Sequence, residues 1–131
     1  MNMLCPGFVI FKDMKRKVKD MCGLRRVVVT GMGAVTPVGN NVRNTWESLK
    51  NGKNGIAPIT LFDTDGFKAK LAAEVKDFDA KDYLEVNEIL RTDRYAQLAV
   101  AAAAQAVAES GIEGKVEPER FAVMFGTGID L

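Results

Sequence analysis

The sequence predicts an α/β fold, and three features of the chain support this prediction. Residues 26–30 are a short β-branched run, too short for a helix and typical of a strand buried in a sheet. Residues 42–51 are amphipathic at helical spacing, and residues 93–110 centre on a run of alanine and valine typical of a deeply packed helix. Another apolar run at 121–125 predicts a second buried strand. The order strand, helix, loop, helix, strand indicates a partial α/β domain.

The first strand is expected to end at Gly31-Met32-Gly33, and residues 36–40 form a turn cluster. A short helix follows, with Asn41 as its N-cap and Gly52 as its stop. One face of this helix carries the apolar residues Val42, Trp46 and Leu49. We therefore expect this face to pack against the sheet.

The middle of the chain is rich in turn residues, and residues 51–68 are expected to form a loop. Residues 71–75 predict a short strand, and residues 79–82 a brief helical turn. The alanine-rich helix is expected to run from about Asp93 to Ser110, with Gly111 ending it.

Composition places the chain among soluble globular proteins. It has 131 residues, 47% hydrophobic and 27% charged, which are near-average values and predict a folded chain. With 18 Lys+Arg against 17 Asp+Glu, the net charge of +1 gives no sign of a nucleic-acid-binding surface. No apolar run approaches the ~20 residues that a membrane-spanning helix needs. Neither nucleic acid nor membrane is an expected partner.

The chain lacks the side chains that most often carry proton transfer and metal binding. It contains no histidine, the residue best suited to proton transfer near neutral pH. Its only cysteines, Cys5 and Cys22, are too far apart for a CxxC pair. We therefore expect neither a metal nor a cofactor. Without a secretion signal, the two cysteines predict free thiols in a reducing compartment, the cytoplasm.

Residues 1–24 differ from the rest of the chain. A short apolar run precedes a basic cluster, the reverse of the order in a secretory signal. The segment has no serine, which argues against a transit peptide, and its apolar residues do not recur at the spacing of a surface-binding helix. We predict a disordered basic extension over residues 1–24, translated from an upstream start, and a partial domain over residues 25–131.

Gly31 and Gly33 after a strand raise the alternative of dinucleotide binding. The full fingerprint needs a third glycine three residues later, where this chain has Thr36, followed by Pro37. The two glycines are therefore interpreted as permitting a tight backbone turn between packed layers.

Two other groups of charged residues suggest sites only superficially. Asp63, Asp65 and Gly66 resemble part of a calcium loop, but the ligand spacing and flanking helices are missing, so a surface turn is expected. Charges near a helix start usually cap it. This interpretation applies to Glu85, Glu88, Asp93 and Arg94.

Residues 25–39 resemble the opening of elongating β-ketoacyl-acyl carrier protein synthases of the type II class. In that family a strand of the form (R/K)VV(V/I)TG is followed by GxG and then by TPxG or SPxG. Further motifs match in the same order: Trp46, residues 51–56, 62–63, 73–78 and 93–95, the alanine-rich helix, and residues 126–129. The resemblance covers residues 25–131.

The resemblance implies the thiolase fold, a five-layered α-β-α-β-α arrangement of two similar halves, of which this chain is an incomplete N-terminal part. It also implies a homodimer that condenses acyl groups with malonyl-acyl carrier protein, with loss of CO2, in fatty acid biosynthesis. A cysteine at a helix N-terminus takes the acyl group. Two histidines stabilise the enolate that forms.

The resemblance places that cysteine after the glycine-rich strand end, and this sequence ends at Leu131. Cys5 and Cys22 precede the first strand and cannot replace it. We therefore expect no catalytic residue in this chain and no activity from it alone. The alternative is a non-catalytic interaction subunit that pairs with a separately encoded remainder through the apolar edge at 121–125.

Two features of the family transfer to single residues. Ile129 matches an isoleucine that lines the acyl-chain pocket, although Asp130 stands where the family has glycine. The three basic positions that contact the carrier protein correspond to Asn87, Leu90 and Arg91, and only Arg91 keeps its charge. The resemblance thus implies an acyl carrier protein partner, but with fewer charged contacts than usual.

Overall fold

A long helix packed on one face of a two-stranded sheet forms the centre of the molecule. The computed structural model describes residues 8–12 and 27–126. The strands are β1 Phe8–Lys12, β2 Val28–Gly33, β3 Ala57–Pro58 and β4 Leu71–Ala72, and the helices are α1 Val42–Lys50, α2 Val86–Ile89 and α3 Arg94–Ser110. Short 3-10 turns occupy Ala80–Asp82 and Pro118–Arg120.

Both pairs of strands are antiparallel. β1 pairs with β2, Phe8 lying opposite Gly33 and Lys12 opposite Val28, with a register shift between Ile10 and Phe11. β3 pairs with β4. β4 is shorter than the strand predicted at residues 71–75. The described part of the chain thus combines helices and strands, as the predicted α/β class requires.

The predicted extension at residues 1–24 includes β1. Phe8–Lys12 form a strand, because an edge of β2 offers unpaired N–H and C=O groups to any neighbouring segment. The rest of residues 1–24 lies outside the described part of the chain. The division of the chain near residue 24 stays a prediction.

The two glycines of β2 lie inside the strand, so the prediction that they form a turn is wrong. They face the backbone of α3: a Cβ built on Gly33 would overlap the carbonyl of Ala102, and one on Gly31 would lie 2.7 Å from the amide nitrogen of Ser110. On the helix side, Ala101 and Ala106 are 0% exposed. The small residues of both elements therefore allow β2 and α3 to pack almost backbone to backbone.

α3 covers only one face of β2. Val27, Val29 and Met32 remain exposed, so the prediction of a strand buried on both faces is wrong for the structure as described. The sequence of β2 is apolar, as a strand buried on both faces requires. None of the described elements, however, covers the second face of β2.

The ends of the two longer helices follow the sequence prediction. The Asn41 side chain accepts a hydrogen bond from the Asn44 amide at 2.8 Å and caps α1. Gly52 and Gly111, just beyond α1 and α3, have φ values of +64° and +55°. Glycine adopts this left-handed conformation without strain.

α1 docks through polar rather than apolar residues. Thr45 is its buried residue, and its hydroxyl lies 3.1 Å from that of Thr36. The Ser48 hydroxyl donates to the Val38 carbonyl at 2.7 Å. Two of the three residues of the predicted apolar face are exposed, Trp46 by 60% and Leu49 by 39%. That prediction is wrong because the turn at residues 36–39 meets α1 on its hydroxyl-bearing side.

Residues 121–126 do not form the predicted second strand. They lack regular secondary structure and are exposed, Met124 by 86%. A strand requires a neighbour to accept and donate its backbone hydrogen bonds, and no described strand lies beside this segment. Residues 121–126 therefore have the apolar sequence of a strand but lack a described neighbouring strand to pair with.

A carboxylate closes the base of the loop between β3 and β4. Glu74 accepts hydrogen bonds from the Thr60 amide at 3.1 Å, from the Thr60 hydroxyl at 2.8 Å and from the Leu61 amide at 3.4 Å. The bonds from Thr60 lower the pKa of Glu74 below its ordinary value of 4.5. They favour the charged form.

This lowered pKa predicts an acid-dependent part of the stability. The folded-state pKa lies below the unfolded value, so the contribution is present above about pH 4.5 and is lost as the pH falls through the folded value. Glu74→Gln should therefore lower the urea midpoint near pH 7 and have less effect near pH 3. Glu113→Gln, at an exposed carboxylate, is the control. An equal effect of Glu74→Gln at both pH values would contradict this prediction.

Candidate functional site

The three positions expected to contact a carrier protein lie together on α2 and the residues that follow it. Asn87, Leu90 and Arg91 are all exposed. Arg91 donates its backbone amide to the Glu88 carbonyl at 3.1 Å, which places its backbone at the end of the α2 turn. All three positions are therefore accessible to solvent, and their contact with a carrier protein stays a prediction.

α2 is a single turn that the sequence analysis did not predict. Its N-terminus is closed by a capping box, in which the Glu88 side chain accepts from the Glu85 amide at 3.0 Å and the Glu85 side chain accepts in return. This reciprocal arrangement satisfies two backbone donors of the helix start. It confirms that these two carboxylates act as caps rather than as an acid–base pair.

The far end of α2 is held by Gln97, which the sequence analysis missed. Its buried side-chain amide donates to the carbonyls of Ile89 at 3.2 Å and Thr92 at 3.0 Å. Gln97 could have been noticed in the sequence because it is a polar residue within a largely apolar helix. A polar side chain buried in such a helix needs hydrogen-bond partners. Gln97 thus couples the position of α2 to that of α3.

The charge around α2 is not basic. Residues 79–95 contain five acidic residues (Asp79, Asp82, Glu85, Glu88 and Asp93) and three basic residues (Lys81, Arg91 and Arg94). The Arg94 guanidinium lies 5.0 Å from the centroid of the Phe78 ring, a cation–π contact. Arg94 therefore has an aromatic partner, and Lys81 and Arg91 are the other exposed cations of this segment.

Ile129, the residue matched to the acyl-chain pocket, lies outside the described residues, as does Asp130. Nothing in the structure places them. The proposed role of Ile129 remains an inference from its motif.

A polar cleft of about 520 Å³ lies between the turn at residues 36–40, α1 and the loop at residues 53–57. The Asn40 side chain donates to the Lys76 carbonyl at 2.9 Å and the Asp77 carbonyl at 2.8 Å, which fixes one wall. The Gln105 side chain of α3 donates to the Asn40 carbonyl at 2.8 Å. These bonds explain the shape of the cleft, and none of the residues predicted to act in binding lies in it.

The two alternative motifs have structural roles. Gly31 and Gly33 pack against the backbone of α3. This contact argues against a phosphate-binding turn at the two glycines. Asp63 accepts from the Asp65 amide at 3.0 Å and Gly66 has a φ of +80°, which confirms a surface turn. Within residues 8–12 and 27–126, no helix has the length and apolar character to cross a membrane.

Comparison with known proteins identifies relatives over most of the chain. The 3-oxoacyl-[acyl-carrier-protein] synthase 2 of Coxiella burnetii is 44% identical over 106 residues, which are 80% of this chain and 26% of the relative. The enzymes of the same name from Synechocystis sp. and Staphylococcus aureus are 42% identical with the same coverage. The chain therefore spans about a quarter of the length of these relatives.

A solved structure, the ishigamide ketosynthase/chain length factor, is also similar. It has 35% sequence identity and a TM-score of 0.59, with 67% of this chain and 22% of that chain covered. The mixed helix and strand arrangement is thus part of a thiolase-like fold. The sequence pattern described as "Beta-ketoacyl synthase, N-terminal domain" matches residues 24–131. The chain belongs to the β-ketoacyl synthase family.

Proposed function

We propose that this chain is the N-terminal part of a 3-oxoacyl-acyl carrier protein synthase that elongates fatty acids. The reaction is the decarboxylative condensation of an enzyme-bound acyl group with malonyl-acyl carrier protein. The family match across residues 24–131 carries the proposal. In this proposal, the enzyme works in the cytoplasm as a homodimer, and acyl carrier protein is its partner.

Residues 1–131 supply scaffold rather than catalysis in this proposal. Condensation needs a thiolate to hold the acyl group and hydrogen-bond donors to stabilise the developing enolate oxygen. The chain has no histidine, and its two cysteines, Cys5 and Cys22, precede β2. The chain contributes the β2–α3 core, Arg91 on the carrier-protein surface and Ile129 toward the acyl pocket.

The proposal predicts that this chain can replace its counterpart in an active relative. In a chimera, residues 24–131 take the place of the matching quarter of the Coxiella enzyme, fused to the rest of that enzyme. We expect the chimera to release CO2 from malonyl-acyl carrier protein in the presence of an acyl primer. The relative without its N-terminal quarter, and the chain 1–131 alone, should release none.

A chimera that is folded and dimeric but inactive would contradict the proposed function. Turnover by residues 1–131 alone would contradict the assignment of a scaffold role. Circular dichroism and size-exclusion chromatography of the chimera separate loss of folding from loss of chemistry.

A second candidate is a non-catalytic subunit that pairs with a separate chain. It is favoured by the exposed apolar segment at residues 121–126 and by the similarity to a protein described as a ketosynthase/chain length factor. Exposed apolar segments of this kind seek partners. Affinity purification of the chain from its own organism should then recover a second ketosynthase chain in equal amount, and recovery of the chain alone would contradict this candidate.

A further inference from the structure

One edge of β2 is covered by side chains of α3. The Met32 amide donates to the carboxylate of Glu109. The Ala34 amide, just beyond β2, donates to the Gln105 side chain at 3.2 Å. In an antiparallel pair, successive residues direct their backbone groups alternately toward the partner strand and away from it. Because these two amides bond to α3 rather than to β1, they lie on the edge opposite β1, and their side-chain partners protect that edge from strand addition.

The other edge of β2 is occupied by β1, which lies outside the part of the chain that matches the family. β1 runs antiparallel to β2, with Ile10 opposite Gly31, and the register shifts between Ile10 and Phe11. Such a shift disrupts the ladder locally. The family pattern matches residues 24–131. β1 is therefore an addition that pairs with a strand of the family domain.

The direction of α3 brings the segment that follows it back to the start of β2. Gly33 of β2 packs against Ala102 in the middle of α3. Gly31, two residues earlier, packs against Ser110 at the end of the helix, so α3 runs antiparallel to β2. A strand that follows such a helix starts beside the start of β2 and runs parallel to it. Residues 121–124 follow α3, have the apolar sequence of a strand and are exposed.

β1 lies in the position that this following strand requires. A crossover helix packs over both of the strands that it connects, and α3 lies against β1 as well as β2. Since side chains of α3 cover the opposite edge of β2, residues 121–124 can pair with β2 only where β1 now lies. Two segments of the same chain therefore compete for one edge.

We propose that β1 is an autoinhibitory strand that holds this edge of β2 and keeps residues 121–124 outside the sheet. Release of β1 lets residues 121–124 pair with β2 in the parallel direction. Because one strand replaces the other along the same edge, the backbone groups of β2 stay paired in both states. The exchange is independent of the enzymatic activity proposed above.

Hydrogen–deuterium exchange of the full chain, read by mass spectrometry, tests this exchange of strands with the substitution Ile10→Pro. Proline lacks the amide that pairs with Gly31 and is excluded from the interior of a ladder. We expect amide exchange at residues 121–124 to slow about 10-fold or more, because these residues replace β1. Exchange within β2 should stay slow. Ile10→Val keeps the amide and is the matched control, and it should leave exchange at residues 121–124 as fast as in the unsubstituted chain.

A second proline tests whether residues 121–124 provide the new protection. Val123→Pro, added to Ile10→Pro, should return this segment to fast exchange and should speed exchange at Gly31 and Gly33, because neither strand can then pair with β2. Exchange at residues 121–124 that stays fast in Ile10→Pro would overturn the proposal. Continued protection of residues 8–12 in that variant would overturn it as well, because β1 would then not be held by its ladder with β2. Loss of the helical circular dichroism signal in Ile10→Pro would also overturn it, since residues 121–124 would then have failed to replace β1.

Discussion

Gly33→Ala is expected to destabilise the chain by about 3 kcal/mol or more, although alanine normally stabilises a strand relative to glycine. The added Cβ would overlap the carbonyl of Ala102 and lie 2.8 Å from its carbonyl carbon and 3.0 Å from the amide nitrogen of Ala106. These neighbours are helix backbone and cannot rotate away as a side chain could. β2 and α3 must therefore separate, with loss of the contact that forms the core. Urea denaturation followed by circular dichroism measures the change.

Gly126→Ala is the matched control for this substitution. A Cβ at Gly126 would meet nothing within 4 Å, so its effect on the free energy of unfolding should stay within about 0.5 kcal/mol. If Gly33→Ala were as mild as Gly126→Ala, the close packing of β2 on α3 would be wrong.

The sequence predicted those elements that local chemistry determines. Asn41 caps α1 through its own side chain, and Gly111 ends α3 in a conformation suited to glycine. Such signals lie within a few residues of the structure they produce. The α/β class was confirmed for the same reason, because the spacing of apolar residues reports helix and strand locally.

The errors arose where the structure depends on contacts distant in the chain. The apolar residues 121–125 suggested a strand, yet a strand forms only beside a neighbour. Gly31 and Gly33 suggested a turn, whereas their role is set by α3, about 70 residues later. Trp46 suggested a core face, while Thr45 makes the buried contact of α1.

The positions expected to contact a carrier protein were only partly predictable. Counting from Asp93 located Asn87, Leu90 and Arg91, and all three are exposed on α2 and the residues that follow it. The sequence did not show that Gln97 fixes this surface, because that link joins two helices through buried hydrogen bonds. It also did not show that the Arg94 guanidinium lies over the ring of Phe78.

Ala106→Leu is expected to destabilise the chain by about 1–3 kcal/mol through overpacking of the same core from the helix side. Ala106 is 0% exposed, packs with Ile112 and lies under Gly31 and Gly33 of β2. Leucine is nearly as good a helix former as alanine, so any loss of stability reflects packing rather than propensity. Ala104→Leu, on the exposed side of α3, separates these effects and should be close to neutral. Equal unfolding midpoints for the two leucine variants would mean that α3 does not present its small-residue face to β2.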